Sequence, residues 1–179
     1  MKIEKVPVDL NGVTRHLVYD LNAHYDLEKM YGSPSKLIEE IKKESTGSIP
    51  YILQVGLAHE EDIPIEALDL LVNLGNVKYL TYKILQALTA EMPDTSKYKS
   101  IQSQHQPPSG DSDGGWPWDW MYYIGTVQLG MSEAVFWRST PKKLFALWEI
   151  HKKYNGIGAP GEQQQANPDT PPAWVDQYI

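Results

Sequence analysis

The sequence predicts a mainly α-helical protein with an N-terminal β-hairpin (class α+β) and a small helical C-terminal module after a flexible linker. Three observations predict this class: the dipeptide Asn11-Gly12 between alternating residues, apolar residues at helical spacing over 22–92, and aromatic residues concentrated in 116–153. A chain of 179 residues is long enough for one medium domain or two small ones. The predicted parts are a hairpin and helical domain at 1–92, a linker at 93–115, an aromatic module at 116–155 and a disordered tail at 156–179.

The hairpin is predicted from its turn. Asn11-Gly12 is a favoured two-residue sequence for a type I′ turn, because both positions need a positive φ. Pro7 has no amide proton to donate, so its strand is expected at a sheet edge. A lone hairpin is marginal in water, so we expect it to pack against helices. Pairing across the turn gives one mostly apolar face, on which the opposite residues are Leu10 and Val13, Val8 and Arg15, and Val6 and Leu17.

Between residues 22 and 92 the apolar period becomes helical. Asn22 is predicted to cap a helix that stops at Gly32, and Ser33-Pro34 is typical of an N-cap followed by a first helical residue. Three further helices are predicted, one capped by Ser48, one over 64–75 and the longest over 76–92. The predicted buried positions are Leu37, Ile38, Ile41, Ile49, Ile52, Leu53, Leu57, Ile65, Leu68, Val72, Val77, Leu80, Thr81, Ile84 and Leu88.

Residues 93–115 and 156–179 have a different composition. The first stretch is rich in Ser, Gln, Pro, Gly and Asp and almost lacks aliphatic residues. Such a segment cannot bury enough apolar surface to offset the entropy of ordering, so it is predicted to be a flexible linker. The second stretch ends in PPAWVDQYI, which we interpret as a docking peptide anchored by Trp174, Val175, Tyr178 and Ile179.

The aromatic module holds five of the six tryptophans and both phenylalanines. Three helices are predicted in it, over 117–130, from Ser132 through Trp137, and from Thr140-Pro141 to Asn155-Gly156. A unit of about forty residues has a small interior, so some of its aromatic rings should remain available to a partner. The core candidates are Trp120, Phe136, Leu147 and Trp148. The candidate partner-binding residues are Trp116, Trp118, Tyr122, Phe136, Trp137, Lys142 and Lys143.

Composition argues against several functional classes. A net charge of −7 disfavours nucleic-acid binding, which needs a basic face. The absence of cysteine excludes disulfides and thiolate chemistry. The histidines show no metal-binding spacing, and no apolar run approaches the roughly 18 residues that span a bilayer. We therefore expect an intracellular protein with no metal, no membrane partner and no nucleic-acid partner.

An ordered set of motifs runs through the aromatic module. An aromatic helix is followed by Leu129-Gly130-Met131-Ser132, Phe136-Trp137, Thr140-Pro141, Leu144 and Leu147. This order resembles the downstream module of the tail assembly chaperones of long-tailed bacteriophages, which these phages often append by a ribosomal frameshift. The hairpin, the phrase Leu17-Val18-Tyr19-Asp20-Leu21-Asn22, Tyr31-Gly32 and the short helices resemble the upstream protein.

The resemblance implies a chaperone in the host bacterial cytoplasm that is not an enzyme, has no cofactor and leaves before the virion is complete. Its upstream module would hold the tape-measure protein, and its downstream module would recruit tail-tube (major tail) subunits. A groove that accepts an amphipathic helix can shield the apolar stripe of a tape measure, and tethering raises the effective concentration of the second partner.

Lys143 departs from the family pattern, which commonly has an acidic residue there. Lys142 and Lys143 both fall in the first turn of a predicted helix, where positive charge opposes the helix dipole. Two interpretations are open, an acidic partner or drift.

Two other functional classes are compatible with an aromatic surface. A permanent structural component of the phage tail or head-tail connector would also use aromatic contacts. An enzyme or sugar-binding module could use tryptophans as stacking platforms, but no catalytic constellation supports it. The sequence also leaves open a homo-oligomer.

Overall fold

The structure is a computed structural model that describes residues 2–60, 63–93 and 115–157. Within these ranges a two-stranded antiparallel hairpin precedes a series of helices, which confirms the mainly α fold with an N-terminal hairpin. Most of the predicted linker and tail, including the sequence PPAWVDQYI, lies outside the described residues. Those two assignments therefore stay predictions.

The hairpin has the predicted turn and register. Strand β1 spans Val6–Leu10 and strand β2 spans Val13–Leu17. Asn11 and Gly12 have φ values of 55° and 83°, as a type I′ turn requires. All three predicted pairs form: Leu10 with Val13, Val8 with Arg15, and Val6 with Leu17. The apolar face lies on helices of the same domain, although Val13 beside the turn remains 52% exposed.

Two consecutive helices follow, α1 at Leu21–Tyr31 and α2 at Pro34–Lys42. The N-cap of α1 is Asp20, so the prediction of Asn22 was wrong. The backbone of Asp20 is extended, and its carboxylate accepts from the Ala23 amide at 2.9 Å, whereas Asn22 is already helical. Gly32 ends α1 with a φ of 89°, and Ser33 caps α2 as predicted.

The remaining helices of the N-terminal domain are α3 at Ile49–Leu57, α4 at Ile65–Leu71 and α5 at Val77–Ala90. Helix α4 ends before the predicted Gly75, because the Asn76 side chain donates to the carbonyl of Leu71 at 2.7 Å and closes the helix there. Ser48 precedes α3 without a capping hydrogen bond from its side chain.

One apolar core joins the hairpin to α1–α5. Tyr19 lies inside this core with no exposed surface, and its hydroxyl donates to the carbonyl of Ile52 at 3.0 Å. Burial raises the pKa of this phenol far above its usual range. All of the predicted buried positions except Ile65 and Thr81 lie in this core or pack against it. Thr81 is buried as well, and Ile65 is half-buried.

The aromatic module contains α6 at Trp118–Tyr123, a π-helical turn at Ile124–Gln128, α7 at Glu133–Trp137 and α8 at Pro141–Tyr154. Ser132 and Thr140 cap α7 and α8 through their side-chain oxygens, as predicted. The first predicted helix therefore consists of two pieces, and Gly130 follows them with a φ of 65°.

Replacement of Gly56 by alanine is expected to destabilise the N-terminal core. A Cβ atom there would lie 2.7 Å from Cζ of Tyr19 and 3.1 Å from Cδ2 of Leu17. Since Tyr19 is enclosed, we expect Gly56→Ala to lower the free energy of unfolding by about 1–3 kcal/mol in urea titrations. In the exposed control Gly47→Ala the nearest atom is 3.7 Å away, so stability should hardly change. Equal stability of the two variants would contradict the close packing of Tyr19 on Gly56.

Candidate functional site

The aromatic module has a small core of its own. Leu21, Met121, Ile124, Phe136 and Leu144 are buried in it. Phe136 has no exposed surface, so its prediction as a partner contact was wrong and its alternative prediction as a core residue is confirmed. The five described tryptophans surround this core, and each is half-buried. These partly covered indole rings therefore lie between the core of the module and its surface.

The π-helical turn fits closely onto the ring of Phe136. A Cβ atom at Gly125 would lie 2.5 Å from Cδ2 of Phe136, so only glycine allows the backbone to approach this far. The amide of Met131 donates to the carbonyl of Gly125 at 3.0 Å. Short π-helical turns are uncommon and frequently mark functional positions.

The module is packed on helix α1 of the N-terminal domain. Leu21, the first residue of α1, is buried in the core of the module rather than in that of its own domain. Its amide donates to the carbonyl of Ser139 at 2.8 Å. The two parts therefore share an apolar contact and a backbone hydrogen bond.

The Glu28 carboxylate is the acceptor at the next contact along α1. It accepts from the Trp116 amide at 3.0 and 3.3 Å and from Nε1 of Trp118 at 3.1 Å. Partial burial raises the pKa of Glu28, and these two donors oppose that shift. Two of the predicted partner-binding tryptophans thus make a contact inside the chain.

His24 is covered at the same junction. It is 4% exposed, and its ring centroid lies 5.8 Å from that of Trp116. Burial lowers the pKa of this imidazole to about 4. Its Nε2 has no hydrogen-bond partner within the part of the chain that the structure describes.

A cavity of about 30 Å³ adjoins His24, and its size is that of a water molecule or two rather than an organic ligand. Its walls come from α1, α2, the end of α5 and Trp116. They consist of His24, Glu28, Pro34, Leu37, Ile38, Leu88, Met92 and Trp116.

Lys142 makes a third contact between the two parts. Its amide donates to the carbonyl of Glu91 at 3.0 Å, and its Nζ donates to the carbonyl of Ala90 at 2.9 Å. Ala90 is the last residue of α5, where positive charge is favourable. The charge of Lys142 is therefore unfavourable at the start of α8 but favourable at the end of α5, which gives this lysine an intramolecular role. The partner contact of the half-buried Lys143 stays a prediction.

Four rings from both parts form a continuous surface, the aromatic strip, made of Tyr25, Trp118, Tyr122 and Trp137. The centroid of Tyr25 lies 5.2 Å from that of Trp118 and 5.4 Å from that of Trp137. Trp137 lies 6.3 Å from Trp118 and 6.2 Å from Tyr122. Tyr122 is 38% exposed, and the other three rings are half-buried.

Sequence reasoning missed the residues that α1 contributes to this region. Tyr25 and Glu28 contact Trp118 across about ninety positions of sequence, and no local pattern marks them. Partner binding stays a prediction for Trp116, Trp118, Tyr122 and Trp137. The structure adds which residues of the chain each of these rings contacts.

The chain matches no protein-family model, no curated protein and no solved structure. Within residues 2–60, 63–93 and 115–157, no three His, Cys, Asp or Glu side chains are grouped as a metal site would require. Across those same ranges, every helix is too short or too polar to cross a membrane.

Removal of the Trp116 ring should restore the ordinary titration of His24. In Trp116→Ala we expect the pKa of His24 to rise from about 4 toward 6.5, measured by NMR titration of the imidazole protons. Because the pKa of the folded state is lowered, His24 contributes stability that is full above pH 6.5 and lost as pH falls toward 4. Trp148→Ala is the matched control, since Trp148 stacks on His151 instead. An unchanged pKa in Trp116→Ala would show that Trp116 does not cover His24.

Loss of the Glu28 carboxylate should loosen the junction. Glu28→Ala leaves the Trp116 amide and Nε1 of Trp118 without their acceptor. We expect hydrogen exchange at the Trp116 amide to become about tenfold faster, since a hydrogen bond to a charged group contributes roughly 1.5–3 kcal/mol before solvent screening. Glu40→Ala removes a carboxylate that pairs with Lys43, three residues further along α2, and serves as the control. Equal exchange rates in both variants would argue against the Glu28 contact.

Proposed function

We propose that this protein is a phage tail assembly chaperone that binds the tape-measure protein and recruits tail-tube subunits in the host bacterial cytoplasm. The aromatic strip is the observation that carries the proposal, because half-exposed tryptophan and tyrosine rings are the usual anchors of protein interfaces. The ordered motifs of the module, from Leu129 to Leu147, support the choice of this family.

The N-terminal domain supports the proposal through its exposed apolar residues. Leu70 and Leu74 are each 87% exposed, and Tyr82 is 63% exposed on α5. Scattered apolar residues are normal on a protein surface, but a chaperone for an amphipathic helix needs such contacts. We assign the tape-measure contact to this domain and the tail-tube contact to the module.

The contacts at α1 change the expected geometry of two tethered binding parts. Glu28, Leu21 and the end of α5 hold the module on the N-terminal domain. Both partners would therefore meet one joined surface, and a tail-tube subunit would be delivered beside the tape measure. Adjacent sites raise the local concentration of the second partner without any new contact.

A pull-down with both partners tests the assignment. We expect the full chain to retain a tape-measure fragment and the tail-tube protein, and Trp137→Ala to lose tail-tube binding by roughly tenfold or more while keeping the tape measure. This point variant is cleaner than a deletion of the module, which would expose Leu21. Trp148→Ala is the control with an equal loss of indole.

Retention of neither partner by the full chain would reject the proposed role. Mass spectrometry of finished virions distinguishes the alternative, since detection of the protein there would favour a permanent structural component of the tail or head-tail connector.

A further inference from the structure

The aromatic strip already holds one cation within the chain. Nζ of Lys29 lies 4.3 Å from the centroid of the Tyr25 ring, on the face of that ring. Lys29 and Tyr25 are four residues apart on α1, so both side chains lie on the same side of the helix. An ammonium group at this distance from an aromatic face is attracted by the negative potential of the ring. The strip is therefore a surface on which positive charge is favourable.

Two carboxylates are bonded to the edges of the indole rings in the strip. Glu28 accepts from Nε1 of Trp118 at 3.1 Å, and Glu133 accepts from Nε1 of Trp137 at 3.3 Å. A negative charge that accepts from the N–H edge makes both faces of the same ring more negative, because it pushes electron density from the N–H bond into the ring. The arrangement strengthens the attraction of both tryptophans for a cation.

The rings of the strip are tilted against each other rather than stacked face to face. The interplanar angles are 86° between Tyr25 and Trp118, 52° between Tyr25 and Trp137 and 36° between Trp118 and Trp137. Part of every ring remains in solvent. Arg138, which follows Trp137, interacts with Asp20.

We propose that the aromatic strip is a docking surface for a basic polypeptide segment, whose arginine side chains lie over Trp118 and Trp137. Charge complementarity selects this partner: the two carboxylates border the strip, and the whole chain carries −7. Arginine fits better than lysine because its planar guanidinium both stacks on a ring and donates to a carboxylate at the ring edge. This proposal states which kind of segment the proposed chaperone would bind. It rests on the chaperone role only for the identity of the protein that carries the basic segment.

A pair of synthetic peptides tests the surface directly. The first is an 18-residue alanine-based helix with arginines at i, i+4 and i+7, and the second replaces each arginine with citrulline, which has nearly the same shape and no charge. By calorimetry with the full chain, we expect the arginine peptide to bind about tenfold more tightly than the citrulline peptide, the factor that roughly 1.4 kcal/mol of cation–π attraction gives.

Two variants connect that binding to the strip. We expect Trp137→Leu to weaken the arginine peptide about tenfold and Glu133→Gln to weaken it about threefold. The matched controls are Trp148→Leu and Glu149→Gln, because Trp148 packs on Trp120 and Glu149 pairs with Lys152, outside the strip. Glu133 is exposed, so Glu133→Gln should keep the fold. If Trp137→Leu does not fold, the binding of the arginine peptide by Glu133→Gln tests the proposal.

Several outcomes would overturn the inference. These are no binding of the arginine peptide, equal binding of both peptides, or equal losses in the Trp148→Leu and Trp137→Leu variants. A dimer of the free protein that Trp137→Leu dissociates would assign the strip to a second copy of the chain instead. Since the peptides contain no phage sequence, their failure leaves the pull-down result intact, and failure of the pull-down leaves the peptide result intact.

Discussion

Helix α1 is packed on two sides, and the arrangement of the chain depends on this. Ala23 and Leu27 face the core of the N-terminal domain, whereas Leu21 is buried among residues of the aromatic module. Close-packed interiors tolerate little displacement. A helix that belongs to two cores therefore fixes the position of one core relative to the other. Neither core is large, so removing α1 from either would expose apolar surface that the small module cannot cover in another way.

Polar contacts at both ends of the junction fix how the module lies on α1. Glu28 accepts from two donors at the start of the module, the Trp116 amide and Nε1 of Trp118, and Lys142 brings its charge to the carbonyl of Ala90 at the end of α5. Apolar contact alone is not directional, whereas hydrogen bonds to a carboxylate and to a helix end require a particular orientation. The aromatic strip exists only because of that orientation, since Tyr25 comes from one part and its neighbours from the other.

Local sequence signals predicted most of the individual elements. The Asn11-Gly12 turn set the hairpin register, and Ser33, Ser132 and Thr140 marked helix starts, because each acts through atoms only a few residues away. The misassigned cap of α1 shows the limit of such signals, since Asp20 and Asn22 are both good caps and backbone geometry decides between them.

The candidate site was only half predictable, because local signals do not show which distant residues meet in the fold. The aromatic residues were evident from composition, but their contacts with Tyr25, His24 and Glu28 join positions about ninety residues apart. The favourable position of Lys142 at the end of α5 also needs the tertiary fold, because the charge opposes the dipole of its own helix.

The distance along the chain between Glu28 and Trp116 has a consequence during synthesis. Their contact spans 88 positions, which a ribosome adding about 5–20 residues per second covers in roughly 4–18 s. For at least that interval the nascent domain presents His24, Tyr25 and Leu21 without the residues of the aromatic module that later cover them. A partner present at the ribosome meets this bare face of α1 first, and the chain's own tryptophans arrive second.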